Sequence, residues 1–104
     1  MSEPIYTHAE WRVLPGREAE FVAAWRALSD TFAALEARPL WGTLLQSERE
    51  PSLFYSFGPW RRAEDVAAMR ADPAAKAALE RVAALCERAT PGAYRQVVHI
   101  DLTG

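Results

Sequence analysis

The chain has 104 residues, half of them hydrophobic and a quarter charged, which fits one domain (residues 1–104) and excludes a disordered polar tail. Its net charge of −2 leaves no basic surface for nucleic acid or an anionic membrane. Lys76 is the only lysine and Cys86 the only cysteine, asparagine is absent, and no internal disulfide can form. The N-terminal Met1-Ser2-Glu3-Pro4 lacks the basic and apolar regions of a signal peptide. No apolar run nears the roughly 18 residues of a membrane span. A cytoplasmic location is expected.

The first predicted element is a strand over Ile5–Val13. Ile5, Thr7, Ala9, Trp11 and Val13 fall on one face, and Tyr6, His8, Glu10 and Arg12 on the other. Pro15-Gly16 breaks it, and Glu18 and Glu20 suit the first turn of a helix. Phe21, Trp25, Leu28, Phe32 and Leu35 then recur at steps of four and three, one apolar helical stripe that Pro39 should end. Strands are expected over 41–49 and 53–57, joined as a hairpin by Glu50-Pro51-Ser52.

A short helix is expected over 62–71, with Asp72-Pro73 stopping it and capping the next. That next helix should bury Leu79, Val82, Leu85 and Cys86, making the cysteine an inert thiol. Thr90-Pro91-Gly92 reads as a turn before a last strand over 93–102. The order is β-α-β-β-α-β with the second helix broken in two. This is the ferredoxin-like split βαβ plan of an α+β domain, four antiparallel strands with the helices on one face. The other face must meet solvent, a ligand or a partner.

Pro15-Gly16-Arg17-Glu18-Ala19-Glu20-Phe21 resembles the helix-opening motif of the antibiotic biosynthesis monooxygenase (ABM) family. Phe54 to Trp60, then Glu64 and Met69-Arg70-Ala71-Asp72-Pro73, resemble its second half. The likeness runs from about Tyr6 to about Ile100. It implies a ferredoxin-like fold, a homodimer whose two sheets form an α+β barrel, and a pocket between each sheet and its helices. It also implies, for some members, oxidation of aromatic polyketides by molecular oxygen with no cofactor. Haem-degrading members use an asparagine, a tryptophan and a helical histidine. Here only Trp60 matches, and Met69 stands at the histidine's place. Haem degradation is therefore not expected. Quinone-forming members also use asparagine, beside tryptophan and tyrosine; Trp60 and Tyr55 are present without it.

His8 and His99 are the candidate catalytic pair, on strands expected to be neighbours where a register could place them opposite each other. Their alternative role is as polar residues of a sheet face or dimer seam. Two histidines without a placed cysteine or carboxylate fall short of a metal site, and Glu10 and Asp101 can instead pair with Arg12 and Arg95. Trp60, Tyr55, Trp11, Trp41 and Met69 are the candidate substrate-binding residues; the alternative is core packing for Trp60, cross-strand packing for Tyr55 and a dimer interface for Trp11 and Trp41. Two functions follow. One is an ABM-type monooxygenase acting on a small aromatic or quinol; the other is a non-catalytic dimer that binds a small molecule or serves as a structural or regulatory module. Neither a cofactor nor a metal is expected.

Overall fold

The computed structural model describes residues 4–104. Elements follow in the order β1 (Ile5–Val13), α1 (Glu18–Ala33), β2 (Thr43–Gln46), β3 (Leu53–Trp60), α2 (Ala63–Ala71), α3 (Pro73–Ala83) and β4 (Cys86–Arg95). The strands form one antiparallel sheet in the order β2-β3-β1-β4. This is the expected split βαβ plan, broken second helix included.

The β1-to-α1 junction is built by local chemistry. Gly16 holds φ +88°, a left-handed conformation that costs glycine nothing. Its N–H donates to Glu18 Oε1 at 3.0 Å, and Ser52 Oγ donates to Glu18 Oε2 at 2.6 Å. The Ser52 hydrogen bond holds the Glu18 carboxyl below its ordinary range. The start of α1 is thereby tied to the β2–β3 hairpin.

Helix α1 ends at Ala33, before Pro39. Ala34 and Leu35 donate to the carbonyls three residues back, tightening the last turn. Arg38 Nη1 donates to the Ala33 carbonyl at 3.3 Å. In a helix Pro39 would act on Arg38 before it and on the Leu35 carbonyl four back, so it does not set a boundary at Ala33. Asp72 caps α3 as expected, accepting from the Ala75 N–H at 2.9 Å with Pro73 in the first turn.

Three strands depart from expectation in their bounds. β2 is shorter, and β3 runs on through Gly58-Pro59 to Trp60. β4 begins at Cys86 and passes straight through Thr90-Pro91-Gly92. Proline is tolerated there because β4 is an edge strand. Cys86 is thus a half-buried strand residue whose Sγ donates to the Val82 carbonyl at 3.5 Å; burial pushes its thiol up to about 11. Residues 96–104 carry no strand or helix.

The helices cover one face of the sheet. One cluster joins Ala9, Trp11, Val13, Phe21, Leu28 and Phe54, with the Phe21 and Phe54 rings 4.7 Å apart. A second joins Trp60, Val66, Met69 and Ala75. Phe32 and Leu79 pack against both.

Candidate functional site

A cavity of about 840 Å³ opens between the sheet and the helices. Its floor comes from alternate residues of β1 and β3, since side chains two apart share a sheet face. Thr7, Ala9 and Trp11 contribute from β1, and Ser56, Gly58 and Trp60 from β3. Trp25, Leu28 and Phe32 of α1 form one wall, and Met69 and Leu79 another. The loop from Arg38 to Gly42 borders the mouth.

Two hydrogen bonds organise this floor. Trp11 Nε1 donates to Ser56 Oγ at 2.9 Å, and Trp60 Nε1 donates to Thr7 Oγ1 at 2.9 Å. Both indoles are buried, Trp11 to 5% exposure and Trp60 to 1%, so each N–H requires a partner. Each hydroxyl oxygen serves as the acceptor, which leaves its own O–H as a donor. The floor therefore presents two indole-anchored hydroxyls in surroundings that are mostly apolar. The remaining serine of the lining, Ser29, donates to the Trp25 carbonyl at 3.1 Å.

The candidate residues divide between the two faces of the sheet. Trp11, Trp60, Met69 and Trp41 all line the cavity. Trp41 also reaches the outer face, edge-on to Tyr6 at 6.1 Å and to Phe57 at 6.0 Å. Tyr55 lies outside the cavity lining and donates from its hydroxyl to Glu10 Oε1 at 3.0 Å. That bond to a carboxylate raises the Tyr55 pKa and keeps the phenol protonated.

His8 borders the cavity, but its ring stands on the outer face, 5.5 Å from the Tyr55 ring and 5.8 Å from that of Tyr94. The two histidines are not opposed. β1 and β4 pair Tyr6 with Tyr94 and His8 with Gly92, and His99 is exposed in the segment past β4. The turn expected at 90–92 displaced that register by several residues. Glu10 is engaged by Tyr55 and by Arg12, whose Nε is 3.7 Å from Glu10 Oε2. Asp101 accepts from Thr103. Among the described residues, no three His, Cys, Asp or Glu side chains gather to hold a metal ion.

Thr7 and Ser56 were not among the sequence candidates. Their signal is a hydroxyl on the apolar face of a strand, two residues from Ala9 and Phe54 and in phase with both.

Comparison with known proteins follows this geometry. The chain is similar in fold to SnoaB, a cofactor-independent oxygenase from Streptomyces nogalater, with a TM-score of 0.86 and 16% identity over 95% of this chain and 98% of that one. It is also similar to a conserved protein from Methanosarcina mazei, with a TM-score of 0.80 and 14% identity over 91% and 94%. A Pseudomonas aeruginosa protein gives a TM-score of 0.77 and 20% identity over 94% and 98%. No curated protein matches the sequence. No helix among the described residues is long and apolar enough to cross a membrane. The antibiotic biosynthesis monooxygenase family model matches residues 4–81, from the first strand through both helix junctions to most of α3, and the chain belongs to that family.

Proposed function

We propose that this chain is a cytoplasmic, homodimeric oxygenase that binds a planar phenolic or quinol-type aromatic in its cavity and oxidises it with molecular oxygen and no cofactor. The observation that supports this most is the pair of hydroxyls, Thr7 and Ser56, held by buried indoles on the floor of an apolar cavity. A volume of about 840 Å³ suits a ligand of several fused rings. SnoaB, similar in fold, is a cofactor-independent oxygenase.

In such a reaction the substrate supplies the electrons. Loss of a proton from a ring CH2 conjugated to a carbonyl puts negative charge on the carbonyl oxygen. The Thr7 and Ser56 O–H groups donate to that oxygen and stabilise the charge as it develops. The electrons pass to oxygen, a carbon–oxygen bond forms, and the hydroperoxide loses water. One CH2 and one O2 become one C=O and one H2O. The apolar walls of Trp25, Phe32 and Leu79 keep water from the anion.

His8, which borders the cavity with its ring on the outer face, and His99, exposed past β4, are the chain's only imidazoles and the proposed proton acceptors. Because both rings lie off the cavity floor, the proton must reach them through water at the cavity's edge. Replacing both with alanine should abolish turnover. Native turnover in that double variant removes them from the mechanism and leaves the proton to solvent. Oxygen uptake with a panel of hydroquinones and anthrones tests the whole reading, with uptake and stoichiometric quinone expected. No uptake with any of them supports the second reading, a non-catalytic binding module. That reading is favoured by one observation: no carboxylate, cysteine or tyrosine lines the cavity.

The homodimer is supported by the outer face of the sheet. Tyr6, His8, Tyr55, Phe57 and Tyr94 stand together there, and Leu45 and Tyr94 are more than half exposed. Val97, Val98, Ile100 and Leu102 beyond β4 are also exposed. A surface this apolar requires cover. Light scattering at micromolar concentration should give twice the 11.6 kDa chain mass; a single-chain mass overturns the dimer.

A further inference from the structure

Met69 of α2 brings the only sulfur to the cavity lining among the described residues, and the oxidation of the substrate makes no use of it. We propose that Met69 is a modification site: a hydroperoxide held in the cavity passes an oxygen to its thioether, and the sulfoxide formed weakens the cavity's grip on an aromatic ligand. This rests on the reading that the cavity binds an aromatic compound and oxidises it by way of a hydroperoxide, and it adds a self-limiting step to that reaction.

Placement carries the argument. Met69 is 6% exposed, so an oxidant in bulk water meets little of it. It borders the cavity instead, and it packs in one cluster with Trp60, Val66 and Ala75. Trp60 is the indole that donates to Thr7 Oγ1, at 2.9 Å. Met69 therefore belongs to the Thr7 end of the cavity, where an oxygen of the ligand is received. A thioether has no proton to lose, so its sulfur is nucleophilic at every pH at which the protein folds. Cys86 offers no competing sulfur: it lies outside the lining, and burial pushes its thiol up to about 11, away from the reactive thiolate.

The oxygen transfer balances without a further reagent. A sulfur lone pair attacks the terminal oxygen of the hydroperoxide, the O–O bond breaks and a sulfur–oxygen bond forms. Sulfur gives up two electrons and the peroxide takes them. The proton on the terminal oxygen moves to the departing one. One hydroperoxide and one thioether become one alcohol and one sulfoxide. Each such event consumes a hydroperoxide that would otherwise lose water to give the carbonyl. It also leaves a polar sulfoxide among Trp60, Val66 and Phe32, where the Trp60 N–H is already committed to Thr7.

Trypsin cuts after Arg62 and Arg70 and releases residues 63–70, in which Met69 is the one methionine. Mass spectrometry of that peptide reads the added oxygen. The full chain is treated with cumene hydroperoxide or with hydrogen peroxide, and N-acetylmethionine amide in the same tube is the reference. Cumene hydroperoxide, an aromatic suited to apolar walls, should oxidise Met69 about tenfold faster than the reference, a small share of what proximity can supply. Hydrogen peroxide, which those walls do not concentrate, should oxidise Met69 more slowly than the reference. A Met69 that trails the reference with both peroxides overturns the proposal. Affinity for 2-naphthol, measured by calorimetry, should fall about fivefold in the oxidised protein. Met69→Leu keeps an apolar side chain of similar volume, and its affinity should not change on the same treatment. An equal loss in that variant, or no loss in the unsubstituted protein, overturns the effect on binding. During oxygen uptake with an anthrone, with catalase removing free peroxide, the sulfoxide should accumulate; uptake that leaves Met69 unmodified also overturns the proposal. If 2-naphthol binds and Met69 is spared, only the Met69 assignment fails. If 2-naphthol does not bind and cumene hydroperoxide has no advantage, the cavity reading falls with it.

Discussion

Substituting Thr7 with valine and Ser56 with alanine together should lower kcat by about 10²–10³-fold, the range seen when donors to a developing oxyanion are removed. The reason lies in how the hydroxyls are held. Each accepts from a buried indole, Thr7 from Trp60 and Ser56 from Trp11, both at 2.9 Å, so each oxygen is fixed before any ligand arrives. The same substitutions strand two indole N–H groups, each costing roughly 1–3 kcal/mol of stability. Thr7→Ser and Ser56→Thr keep a hydroxyl at each position and separate the two effects. They should restore turnover, while the hydroxyl-free pair remains slow at temperatures where it is fully folded. A folded double variant with native kcat would reduce these residues to a structural role.

Gly58→Ala should destabilise the protein by about 2–3 kcal/mol, a typical cost of forcing a methyl into packed backbone. A Cβ on Gly58 would collide with the Trp41 carbonyl oxygen and lie 3.2 Å from the Gly42 Cα. Both obstacles are main chain, and the same loop is tied down next door, where the Leu40 N–H donates to the Pro59 carbonyl at 2.9 Å. Neither strand nor loop can yield by rotating a side chain. Urea unfolding measures the loss directly. Because the displaced loop carries Arg38 and Trp41 to the mouth of the cavity, ligand affinity should fall as well. A change below about 0.5 kcal/mol, the ordinary range for a neutral surface substitution, would show that the loop gives way freely.

Local chemistry made much of this molecule legible from its residues. Pro15-Gly16 marks the first strand-to-helix turn, the stripe from Phe21 to Phe32 marks the buried side of α1, and Asp72-Pro73 marks the break between α2 and α3. Alternation along β1 also divided Trp11 from His8 by face. Each of these signals acts over a few residues, through backbone dihedrals, caps or side-chain periodicity, so the sequence by itself determines it.

What the sequence left open was decided by strand pairing. A period of two assigns faces but not register. Thr90-Pro91-Gly92 carries the local mark of a turn, yet on an edge strand beside β1 it stays extended. That choice put Gly92, and not His99, opposite His8. Thr7 and Ser56 are 49 positions apart in the chain and look unremarkable alone. They share the cavity floor because β1 and β3 are antiparallel neighbours, with Thr7 opposite Gly58 and Ala9 opposite Ser56. The cavity has the same origin. Its walls come from three helices and a loop, and their spacing over the sheet is set by the packing of Trp60, Phe21 and Met69 against partners distant in sequence.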